Sequence, residues 1–88
     1  MASTNQLLLQ ALVKGLGEAV GRNDEAAADR YQTRIRLIAG HFDTNPTLSV
    51  ALEWLLLASG DWMKTDAPNR VEAEQPVAEL VDRITQLL

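Results

Sequence analysis

The sequence predicts an all-α protein, a small four-helix bundle, and three observations carry that prediction. Apolar residues recur at spacings of three and four through most of the chain, without the sustained alternation of a half-buried strand. Start and stop residues punctuate those runs: Asn23 and Asn45 stand before them, and Gly21, Gly40 and Gly60 after them. The segment 46–59 is apolar nearly all round. On a helical wheel only Ser49 and Glu53 form a polar strip there, which leaves an apolar arc of roughly 260°, against the ~100° stripe usual for a surface helix. A helix this oily must be walled in on several sides. The expected helices cover about 4–20, 24–39, 46–59 and 76–88, with an acidic loop over 60–75, in a single domain spanning 1–88.

The first helix has Ser3, Thr4 and Asn5 available as caps and gathers Leu8, Leu9, Leu12, Val13, Leu16, Ala19 and Val20 on one face. Gln10, Lys14 and Glu18 face away. Gly15 and Gly17 lie inside it, each costing about 1 kcal/mol relative to alanine. Such glycines either weaken the last turns or admit a neighbouring helix, and the first is the commoner cause. The second helix opens with Asn23 as cap and with Asp24 and Glu25 at the positive end of the helix dipole. Ala27, Ala28, Tyr31, Ile35, Ile38, Ala39 and Phe42 form its stripe. The short step through Arg22 and Asn23 folds the two helices into an antiparallel hairpin.

For the central helix Asn45 supplies the cap, Pro46 the first helical residue and Gly60 the stop. Between Asp61 and Gln75 the chain turns polar and acidic, which reads as a loop with one short helical turn at 69–73, pinned to the bundle by Trp62 and Met63. Pro76 then starts the last helix. Val77, Leu80, Val81, Ile84, Leu87 and Leu88 line one side of it, and Glu79, Asp82, Arg83 and Gln86 the other.

Gly15, Ala27 and Tyr31 fall where a tetratricopeptide-like hairpin carries its small and aromatic residues. Lys14, Glu18 and Arg34, however, stand where that pattern is apolar or small, and no second copy follows. A small, acidic, four-helical chain also resembles the acyl carrier proteins. Their phosphopantetheine serine follows an aspartate at a helix start, whereas Ser49 follows Leu48. Neither family is adopted.

Composition narrows the functional classes. With 88 residues the chain is near the small end of what folds alone, and it has little core to spare. The absence of cysteine excludes disulfides and a thiolate metal site and fits a cytoplasmic protein. A net charge of −4 argues against a dedicated nucleic-acid binder. The triplet Leu7-Leu8-Leu9 lacks the layout of a signal peptide, and no apolar run approaches the ~20 residues of a membrane span.

Candidate chemistry is sparse. His41 stands two positions before Asp43, the arrangement of a general base oriented by a carboxylate, but a histidine at a helix C-terminus beside a turn aspartate is the plainer account. Glu53 beside Ser49 is a candidate buried acid or the wet edge of the central helix. No metal or cofactor site is expected, since His41 and Asp43 alone leave a metal short of ligands. A helix-turn-helix around Gly40 is excluded as a base reader, because the following helix has no Lys, Arg, Asn or Gln in 47–59.

Arg30, Arg34 and Leu37 share a face of the second helix opposite Tyr31, Ile35 and Ile38, with no acid one turn away to pair with either arginine. Arginines beside an outward leucine suit an acidic partner; the plainer reading is a solvated face, or arginines met within the fold by Glu72 or Glu74. The leading expectation is therefore a non-enzymatic protein-protein interaction module, a homodimeric adaptor or a small inhibitor of the immunity or phage type. Arg30, Arg34, Leu37, Trp62 and Met63 are its candidate partner contacts, and Leu52, Leu55, Leu56, Leu80, Ile84 and Leu87 its candidate oligomer interface. Alternatives are a nucleic-acid-associated regulator acting through Arg22, Arg30, Arg34 and Arg36, and a small hydrolase-like enzyme using His41 and Asp43 or Glu53.

Overall fold

A computed structural model describes residues 3–88, without the side chain of residue 67. Among the described residues there are four helices, α1 (Thr4–Gly21), α2 (Glu25–Ala39), α3 (Pro46–Lys64) and α4 (Arg70–Leu87), with 3-10 turns at Gly40–Phe42 and Ala67–Asn69 in the links. There is no strand among the described residues. Short links force consecutive helices to run antiparallel. α1 packs against α2 and α4, and α3 against α4 and α2, so two helical hairpins close around one core. The bundle is elongated, 41 × 21 × 18 Å.

Local chemistry sets the helix ends. Ser3 caps α1 through a full capping box: its hydroxyl accepts from the Gln6 amide, and the Gln6 side chain accepts from the Ser3 amide. The cap of α2 is Asp24 rather than Asn23; its carboxylate accepts from the Ala27 amide at 3.1 Å. Asn23 instead takes the left-handed backbone the tight turn needs (φ 57°), a conformation asparagine tolerates better than most residues. Asn45 caps α3 by accepting from the Leu48 amide at 3.2 Å, with Pro46 in the first turn.

The expected loop over 60–75 is mostly helix. α3 runs through Gly60 to Lys64, because its buried stripe (Leu48, Leu52, Leu55, Ser59, Trp62) crosses that glycine unbroken. Packing along a whole stripe outweighs the ~1 kcal/mol that one glycine costs. α4 begins at Arg70, so Pro76 lies inside it instead of starting it. Proline forfeits the bond its amide would have given to the Glu72 carbonyl. Both residues are exposed, so water can serve that carbonyl. Glu72, Ala73, Glu74 and Gln75 are otherwise good helix formers.

The core joins Leu9, Val13 and Leu16 of α1, Ala28 and Ile35 of α2, Leu48, Leu52, Leu55 and Trp62 of α3, and Val77 and Ile84 of α4. Gly15 and Gly17 are there for close approach, not as weak turns. A Cβ on Gly15 would stand 2.5 Å from the Tyr31 ring, and one on Gly17 3.2 Å from Val81. One polar clasp lies in the interior. The Gln32 amide donates to the Ser59 hydroxyl (2.6 Å) and the Leu56 carbonyl (3.2 Å), and Ser59 donates to the Leu55 carbonyl (2.8 Å). Gln32 and Ser59 are both buried, and bonding each to the other removes the cost of carrying two polar groups inside.

Candidate functional site

Several residues expected at an interface are spent on the fold. Leu52, Leu55 and Ile84 are fully enclosed by their own chain, and Trp62 is 0% exposed, so none of the four can reach a partner. The reason is the longer α3 and α4, which add wall area that a loop over 60–75 would not have supplied. Met63, Leu56 and Leu80 are half-buried, and Leu87 is exposed at the end of α4. Leu8, expected in the core face of α1, is instead in water with Leu7.

Trp62 belongs to an internal staple built on Arg70. The guanidinium lies 4.9 Å over the indole centroid, donates from Nε to the Thr65 carbonyl (3.0 Å) and from Nη2 to the Met63 carbonyl (3.2 Å), and pairs with the Glu25 carboxylate. Its Nη1 donates to the Asn23 side chain at 2.7 Å. One side chain thus ties the α1–α2 turn, the start of α2 and the end of α3 to the first residue of α4. Only arginine has a fork that can do this. Arg70 gave no sequence signal because it stood in a segment read as a loop.

Two surfaces stand out among the described residues. On the outer side of the α1–α2 hairpin, Leu37 is 79% exposed, and Arg30 and Arg34 are exposed beside it. Among the described residues the ion pair found is Arg70 with Glu25, so Glu72 and Glu74 do not meet these arginines. Asn5, Leu8, Leu12, Arg34, Leu37, Ile38 and His41 line a shallow hollow of about 360 Å³ there.

On the outer side of the α3–α4 hairpin, Val50, Trp54 and Leu57 form an exposed apolar strip, at 50%, 59% and 62%. Trp54 stands between two hollows. The first, about 520 Å³, is lined by Pro46, Thr47, Val50, Ala51, Leu80 and Arg83 as well as Trp54. The second, about 350 Å³, is lined by Leu57, Ala58, Asp61, Ala73, Pro76 and Leu80 as well as Trp54. The apolar excess of the central helix therefore divides: Leu52 and Leu55 turn inward, while Trp54 and Leu57 turn out.

The residues weighed for catalysis do not converge. His41 and Asp43 are exposed on and just after the Gly40–Phe42 turn, and no hydrogen bond joins them; Glu53 is exposed on α3. Among the described residues no three His, Asp or Glu side chains gather as metal ligands, and no helix is long and apolar enough to cross a membrane.

The fold and its two faces define the class as a small all-α helical bundle with apolar strips on the outer sides of both hairpins. Comparisons with protein-family models, with curated proteins and with solved structures each return no match.

Proposed function

We propose that this chain works by binding rather than by chemistry, as a small cytoplasmic adaptor or inhibitor that captures a partner protein and pairs with a second copy of itself. The observation that carries the reading is Leu37, 79% exposed between arginines without acidic partners and beside an apolar hollow. Arginine and apolar groups around a pocket are the residue types that anchor protein interfaces, and a partner segment with a carboxylate near an apolar side chain satisfies both. The second, self-pairing function rests on Trp54 and its neighbours on α3.

Affinity capture from the native host with wild type and with the Arg30→Glu/Arg34→Glu/Leu37→Asp variant tests the capture reading. All three positions are exposed, so the variant keeps its helicity and its melting temperature. A partner held by wild type and lost by the variant is expected; undiminished capture overturns the reading. A salt-sensitive gel shift with nucleic acid, abolished by the same variant, would transfer the face to the nucleic-acid alternative.

A further inference from the structure

Among the residues lining the two hollows of the α3–α4 face there is one charge of each sign, at opposite ends of an apolar strip. Arg83 lines the hollow beside Thr47 and Val50, at the start of α3. Asp61 lines the hollow beside Leu57 and Ala73, toward its end. Trp54 stands between them and borders both hollows. Thr47 and Asp61 are equally spaced in sequence about Trp54, so each lies about 10 Å from it along the helix. Among the described residues neither Asp61 nor Arg83 is in an ion pair. A surface whose charge pattern reverses sign about its own midpoint is complementary to itself when turned half a circle.

We propose that this face binds a second copy of the chain, antiparallel, about a two-fold axis passing beside Trp54; the proposal specifies the geometry of the self-pairing put forward above and rests on it. The two indoles then lie against each other, in the offset or edge-on contact that aromatic pairs favour. Leu57 of each copy sits over the hollow at Val50 and Ala51 of the other. Arg83 of each copy stands opposite Asp61 of the other, so a single pair of residues makes two symmetric ion pairs. A parallel pairing would instead set Arg83 against Arg83 and Asp61 against Asp61. The α1–α2 face has arginines without a matching acid and is not self-complementary in this way.

The test uses charge exchange in the full chain. Arg83→Asp and Asp61→Arg change exposed, unpaired side chains, so each variant is expected to melt like wild type. Wild type, followed by sedimentation and by the blue shift of Trp54 emission, is expected to pass from monomer to dimer as concentration rises. Each single variant places like charges opposite one another twice and is expected to dissociate about tenfold more readily or more. Mixing the two variants in equal amounts restores both opposite-sign contacts, and the mixture is expected to dimerise as wild type does. Two weakened variants that fail to rescue each other, or variants that dimerise undiminished, overturn the antiparallel arrangement while leaving self-association standing. A wild type that stays monomeric to about millimolar concentration overturns this proposal and the self-pairing reading together.

Discussion

Trp54 and Trp62 stand about two turns apart on the same helix and meet opposite fates. Trp62 is fully enclosed, its ring roofed by Arg70 and its indole N–H without a partner among the described residues. Trp54 is 59% exposed between two hollows. The difference teaches where the fold ends and the surface available for association begins. α3 has one side closed by α2, α4 and the Arg70 staple, and another that none of the described residues covers.

The largest expected effect breaks the closed side. Trp62→Ala should destabilise the protein by about 3–5 kcal/mol, because it empties the core and strips the platform under Arg70; a thermal or urea melt reads it. Arg70→Met comes next, at about 2–3 kcal/mol, since it keeps the volume but leaves Glu25, Asn23 and two backbone carbonyls without their cation. Arg70→Lys should recover only part of that loss, because an ammonium cannot span the same acceptors. If Arg70→Lys melts like wild type, the fork geometry is not what holds the two hairpins together.

Smaller effects sharpen the contrast. Gly60→Ala should stabilise by about 0.5–1 kcal/mol, as the residue is mid-helix with ordinary backbone angles. An added Cβ meets nothing nearer than the Gln32 amide at 3.9 Å, and a lower melting temperature would show that the Gln32–Ser59 clasp needs the glycine. Trp54→Ala should change stability by less than about 0.5 kcal/mol, the usual range for an exposed position, yet abolish concentration-dependent sedimentation. A Trp54→Ala protein as destabilised as Trp62→Ala would erase the distinction between the two tryptophans.

Much of this architecture was legible in the residues. The α1 stripe apart from Leu8, the α2 stripe, the end of α2 at Gly40 and the Asn45-Pro46 helix start follow from spacing and capping chemistry alone. The segment 60–75 was misread because Gly60 and Pro76 are strong local signals of helix breaks, whereas what decides there is long-range. The buried stripe of α3 includes a serine, and nothing near Ser59 in sequence reveals that Gln32 will meet it. Arg70 likewise finds Asn23 and Glu25 only after the hairpins close. Of the residues proposed for association, Arg30, Arg34 and Leu37 could be placed on an outer face by helical phase. Trp54 and Leu57 could not be told from Leu52 and Leu55, because on a helix apolar nearly all round the wheel has no preferred inside.

The staple sits at one end of an elongated body. Asn23, Glu25, Met63, Thr65 and Arg70 all gather there, whereas Ser3, Leu88 and the Gly40–Phe42 turn occupy the other end with no comparable tie among the described residues. Local opening is therefore expected to start far from Arg70, and hydrogen exchange should find the amides in the last turn of α2 less protected than those bordering Asn23. Leu8, Leu37 and His41 lie at that end, so a partner docked on them would meet the less firmly tied tip of the rod.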